Sequence, residues 1–203
     1  MSNFEYIIAS LPFLTRDFRY ADGQGFESVL AEIRENLSER DGAALDFLLE
    51  GLRAPDAAFY RSALQHRLAF IRGYFAFDLD LRNAKVRYLN RQLGRPEEQD
   101  LVALAEDGTE EPLREFAEEA GVEAALSETG LVEREKALDD LAWEKADRLS
   151  DFHYFDLSAV LAYVVKLSIA NRWLALDEAR GRELFRKLVD EVKGTFKGVN
   201  YQA

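Results

Sequence analysis

Apolar residues recur along most of the chain at intervals of three and four, the spacing that places them on one face of an α-helix. Phe26, Val29, Leu30, Ile33 and Leu37 mark a first amphipathic helix, and Leu45, Leu48, Leu49 and Leu52 mark a second over roughly 38–52. "RAPD" breaks the second, and Asp56 is placed to cap the next. No proline interrupts the pattern from about 57 to 93, where one long helix and two helices kinked near Gly73 both fit, with Gly94 suited to ending the segment. A short helical piece over 96–107, a turn at "EDGTEEP", and helices over about 111–120 and 131–148 come next. Asp156 caps "LSAVLAYVVKLSIANRWLAL", and Asp177 caps a last helix ending near Gly194. In that last helix Leu184, Phe185, Leu188, Val189 and Val192 share a face, expected to pack on Val160, Tyr163, Val164 and Leu167.

The start differs. Residues 4–9, "FEYIIA", are β-branched and aromatic and read as a short strand or extended arm, with Pro12 keeping the next residues extended. Strands and helices nowhere alternate, which argues against a doubly wound sheet. The expected fold is all-α, a bundle of about eight helices with a short extended N-terminal arm. It forms a single helical domain over 1–203, whose finer division is two helical halves, 1–94 and 131–203, joined by an acidic segment.

Composition supports this reading. With 203 residues, 48% apolar and 32% charged, the chain has enough apolar material for an ample core, and only 12 Gly and 4 Pro to interrupt helices. It has no cysteine, which rules out disulfide and thiolate chemistry. "MSNFEYIIASLPFLTRD" carries no basic leader and is interrupted at Pro12, and the apolar run "AVLAYVV" is too short to cross a bilayer. A cytoplasmic location is expected, with any membrane association indirect and no direct insertion. The net charge of −12 is concentrated: Pro96 to Arg148 holds 18 acidic residues against 5 basic ones. Nucleic acid is therefore not an expected partner, because phosphate binding needs a basic face. The acidic stretch reads as a solvated surface or as a face for a basic partner.

Candidate chemistry is sparse. His66 lies among apolar residues as a helix histidine, and His153 with Asp151 lacks a third ligand. Gly23 and Gly25 in "ADGQGF" fall short of a phosphate loop. Asp139 and Asp140 form an acidic pair on what reads as a surface helix. No nucleophile motif is present. The expectation is no catalytic residue, no cofactor, no metal and no small-molecule substrate; an enzyme built on Asp/Glu and His153 is the least supported reading.

"FDLDLRNAKVRYLNRQLG", Phe77 to Gly94, raises a sharper question. Apolar residues here cover half the helix circumference or more, yet Asp78, Arg82 and Lys85 lie within that arc. A charge in such a place is costly unless paired and hydrogen-bonded. Asp78 and Arg82, four apart, are expected to pair inside their helix, and Asn83 to bind a backbone group or a neighbouring helix. The functional alternative is an arc only partly covered by the chain, with a partner docked on it. "FDLDLRNAKVRYL" also matches "FDLSAVLAYVVKL", starting at Phe155, at several offsets, which would suit a repeated helical unit.

"YIIASLP", "FDLDLRNAKVRYLNRQLG" and "DLSAVLAYVVKLSIANRWLALDEARGRELFRKLVDEVK" occur in that order and make up about a third of the chain. Together they resemble a small uncharacterised bacterial family encoded alongside V-type ATPase subunits. The later two also resemble, more distantly, the socket subunit of the rotary ATPase central stalk (C in the A/V-type enzymes, d in the eukaryotic ones). The points of likeness are Leu81 to Asn83 and Lys166 to Trp173, so Arg172 and Trp173 join Asp78, Arg82 and Asn83 as candidate partner-contact or structural polar residues. The socket family is helical and pseudo-threefold, caps the membrane rotor ring and receives the stalk. This chain is considerably shorter, which fits a reduced socket or an accessory factor sharing its fold. The resemblance implies a non-catalytic subunit or assembly factor of a bacterial V-type ATPase, packing against stalk or ring subunits. The alternative is an acidic helical adaptor for a basic protein or peptide, using 96–148.

Overall fold

Capping chemistry sets the helix boundaries. The Ser38 hydroxyl accepts from the Asp41 amide, the Asp56 carboxylate from the Phe59 amide at 2.7 Å, and the Asp156 carboxylate from the Ala159 amide at 3.2 Å. Each supplies an acceptor to a first-turn N–H that has no partner inside its helix. In the computed structural model, which describes residues 2–16, 25–104 and 116–175, the result is eight helices and no strand among the described residues. They are α1 Phe4–Ser10, α2 Phe26–Asn36, α3 Glu39–Arg53, α4 Ala57–Leu64, α5 Ala69–Gln92, α6 Glu119–Ser127, α7 Leu131–Leu149 and α8 Leu157–Ala175. The fold is all-α, as expected. The helix expected after Asp177, with its face from Leu184 to Val192, and the turn at "EDGTEEP" lie outside the described residues.

Four local expectations are corrected. Residues 4–10 are helical, not an extended arm. Asn3 caps them by accepting from the Tyr6 amide, Glu5 sits in the first turn, and Ile7 is buried, so a cap and one apolar contact override β-branched propensity. The segment is tied down by the Asn3 amide on the Asn36 carbonyl and by Ser2, whose hydroxyl donates to Asp41 and accepts from the Ser38 amide.

The break in the 57–93 segment falls at 65–68, not near Gly73. There the His66 imidazole Nδ1 accepts from the Leu68 amide at 3.2 Å and its ring stacks on Phe47. Gly73 lies inside α5, where a Cβ would come within 2.8 Å of a Leu149 methyl carbon; its smallness serves α5–α7 packing.

Residues 96–104 form no helix. Two buried asparagines of α5 hold this segment as a strap. Asn90 donates to the carbonyls of Glu97 and Gln99, while Asn83 donates to the Val102 carbonyl at 2.8 Å and accepts from the Val102 amide at 3.0 Å. Those backbone groups are thereby withdrawn from any i→i+4 ladder. Finally, of the helix expected at 111–120, residues 111–115 lie outside the described residues, 116–118 are not helical, and α6 runs from Glu119 on to Ser127, past the expected end.

α8 is the central element, in contact with α1, α2, α3 and α7. Val160, Leu161, Val164, Val165 and Leu167 are fully buried on it, on several faces rather than one stripe. By length and composition α8 would pass for a bilayer span, although "AVLAYVV" alone would not, but more than half of its apolar window is enclosed by the neighbouring helices. The main core draws on α1–α5, α7 and α8, and a second, smaller cluster of Phe77, Leu81, Ala84, Val122, Ala125 and Leu138 joins α5, α6 and α7. The suggested internal repeat has no structural counterpart in its lead residues. Phe77 is buried in mid-α5, whereas Phe155 is exposed ahead of α8, and Asp156 is a cap while Asp78 is not.

Candidate functional site

Helices α3, α5, α7 and α8 leave between them a cavity of about 570 Å³. α5 contributes Asp78, Arg82 and Lys85, α7 contributes Glu135 and Asp139, and α8 contributes Arg172. The charges embedded in the apolar arc of α5 therefore face a shared polar space, not the hydrocarbon of the core. Leu138, Val165 and Ile169 give the same cavity an apolar wall.

Asp78 and Arg82 pair as their spacing suggests, Nε to Oδ2 at 2.9 Å. The same oxygen also accepts from the hydroxyl of Tyr60 on α4. Tyr60 was not foreseen, because nothing in the sequence brings residue 60 beside residue 78. Burial, and then the charge and hydrogen bond of Asp78, hold the Tyr60 hydroxyl well above the usual phenol range; burial does the same to Tyr74 one turn before Asp78. Burial works against the Arg82 guanidinium, but Asp78 outweighs it and the group is held more firmly protonated than usual.

Asp139, expected on a surface helix, is buried. Arg172 donates to one of its oxygens and the Trp173 indole N–H to the other at 2.6 Å. Arg172 and Trp173 thus act together on one carboxylate of the cavity wall. Asn83 stands apart, holding the 102 strap. Lys85 makes no ion pair or hydrogen bond among the described residues, and burial pushes its ammonium pKa down, with Glu135 only partly opposing the shift.

A second feature lies in the connection between α7 and α8, where "SDFHYFD" reads as an ordinary loop. Phe152, Tyr154 and Phe155 are 88%, 68% and 60% exposed. Phe152 adopts φ +66°, the left-handed position after a helix end where glycine or asparagine is favoured and a phenylalanine is strained. The His153 amide closes the turn on the Ser150 carbonyl, and the His153 ring pairs with Asp156. Solvent exposure and backbone strain at one phenylalanine are both unfavourable to the isolated fold, and such combinations concentrate at binding sites. Among the described residues no group of three or more His, Asp or Glu is placed to hold a metal ion.

A helical bundle with a polar cavity and an exposed aromatic knuckle is the class defined by these features. The chain belongs to the protein family of unknown function DUF2764, whose model matches residues 52–195. That span includes α4–α8, the charged residues of the cavity and the knuckle. No curated protein and no solved structure matches the chain.

Proposed function

We propose that the protein is a non-catalytic, protein-binding component of a bacterial V-type ATPase, an accessory or assembly factor or a reduced stalk subunit, docking on stalk or ring subunits from the cytoplasmic side. Its place is the cytoplasm, peripheral to the inner membrane through the complex. Two things support the reading. The likeness of the three sequence segments supplies the complex, and the knuckle of Phe152, Tyr154 and Phe155 supplies the means of attachment. The knuckle is the observation that carries it: large aromatics in the open are the residues that anchor protein–protein interfaces. Asp151 and Asp156 flank them, so the fitting surface is an apolar hollow with a basic rim.

The adaptor alternative draws less from the structure. Many acids of 96–148 are engaged by basic groups of the chain itself: Glu119 by Arg87, Glu123 by Arg91, Glu118 by Lys145 and Arg148, and Asp147 by Lys166. Isolation of the rotary ATPase in mild detergent from cells expressing the tagged chain tests the proposal. Co-isolation of the chain with stalk or ring subunits is expected, and an ATPase preparation from which the chain is missing, together with a tagged chain that recovers no ATPase subunit, refutes it.

A further inference from the structure

The charged groups of the cavity between α3, α5, α7 and α8 are unequally satisfied. Its two buried or half-buried carboxylates are engaged by the chain: Asp78 accepts from Tyr60 and Arg82, and Asp139 accepts on both oxygens from Arg172 and Trp173. Of its three cations only Arg172, on Asp139, is comparably engaged. Arg82 uses only Nε, leaving both terminal nitrogens without a protein acceptor among the described residues, and Lys85 has no acceptor there at all. Glu135 on α7, the remaining acid, is exposed and forms no ion pair with Lys85. The cavity thus presents unspent donors and no comparable unspent buried acceptor.

We infer from the geometry that this cavity binds a small organic anion, a carboxylate or phosphate head carried on an apolar body, with the head held by Lys85 and Arg82 and the body against Leu138, Val165 and Ile169. Four observations carry the inference. The volume of about 570 Å³ is that of a small-molecule site. An apolar wall with a few convergent polar groups is the usual lining of such a site. The guanidinium of Arg82 is oriented by Asp78, which is itself fixed by Tyr60, so the fork that would meet an oxyanion is already placed. Lastly, a half-buried ammonium without a partner is unfavourable for folding, and an anion in the cavity relieves it. Burial lowers the pKa of Lys85 despite Glu135, in keeping with a missing counter-charge. The inference is independent of the ATPase reading; either can fail alone.

Titration calorimetry on the full chain with hexanoate, hexyl phosphate, hexanol and hexylammonium tests it. Hexanoate, hexyl phosphate or both should bind, and the one that binds more tightly identifies the head group; hexanol and hexylammonium should not bind. Lys85→Met should weaken anion binding by about tenfold to a hundredfold, the loss of one charge-assisted hydrogen bond. The same variant, without ligand, should melt no lower than the wild type. Arg82→Gln, which leaves the Tyr60–Asp78 bond in place, should weaken binding in the same direction. Failure of both anions to bind, equal binding of hexanol or hexylammonium, or unchanged anion affinity in both variants overturns the inference.

Discussion

Asp78→Ala separates two explanations of why a carboxylate is tolerated on the inner arc of α5. If Arg82 were its main partner, the change would remove an i,i+4 ion pair whose Arg82 side chain is 50% exposed and Asp78 side chain 19% exposed. Pairs of that kind contribute about 0.3–0.5 kcal/mol. The structure adds the hydrogen bond from Tyr60, which is itself buried. A hydrogen bond to a charged acceptor contributes about 1.5–3 kcal/mol, and its loss leaves the phenol without an acceptor in a place water reaches poorly. Asp78→Ala should therefore cost about 2–3.5 kcal/mol, most of it through Tyr60. Two double-mutant cycles, read by urea denaturation, apportion the effect. Asp78→Ala with Tyr60→Phe should show a coupling of about 1.5–3 kcal/mol, and Asp78→Ala with Arg82→Met less than about 0.5 kcal/mol. A larger coupling to Arg82 than to Tyr60 would refute the reasoning.

Other consequences can be measured on the isolated protein. Tyr60 and Tyr74 have phenol pKa values raised by burial and by Asp78, so above the unfolded tyrosine value of about 10 the unfolded chain releases protons that the folded one keeps. Stability is fully present below that pH and falls above it by about 1.4 kcal/mol per pH unit for each tyrosine, until the folded groups themselves ionise. Tyr60→Phe should flatten the alkaline slope of urea-derived stability by one tyrosine's share, and an unchanged slope would count against the burial of its hydroxyl. Gly51→Ala would drive a Cβ into the rings of Phe59 and Phe75, so it should lower stability by about 1–3 kcal/mol in thermal melts; a neutral result would mean that the rings have room to move. Phe152→Gly removes an exposed side chain from a left-handed position and should raise stability by about 0.5–1 kcal/mol while weakening partner binding; a loss of stability would show that Phe152 is structural.

Helices α2, α3, α7 and α8 were legible in the sequence, and Asp56 and Asp156 were readable as the caps that start α4 and α8, although the end of α4 was not. The features that were not legible depend on contacts distant in sequence. The helix α1 depends on the burial of Ile7 in the core and on the ties of Ser2 and Asn3 to Asn36, Ser38 and Asp41. The strap at 96–104 is shaped by Asn83 and Asn90, whose pattern marks them as polar helix residues but does not name their acceptors. In the cavity, the Asp78–Arg82 pair was readable from a spacing of four, whereas Tyr60 on Asp78 and Arg172 with Trp173 on Asp139 join different helices. "SDFHYFD" was readable as a loop, but the exposure of Phe152, Tyr154 and Phe155 was not, because the sequence does not say which neighbouring helices would cover them.

The most direct measurement of the proposed role is a photo-crosslink from the knuckle in living cells. A benzophenone amino acid at position 154, in place of the exposed Tyr154, samples the surface assigned to docking; the same group in place of the exposed Glu133, near the other end of α7, serves as the control. Adducts with a stalk or rotor-ring subunit of the V-type ATPase are expected from position 154, and few or none from position 133. Adducts from position 154 that contain no ATPase subunit, or an equal yield from both positions, would refute the docking role of the knuckle.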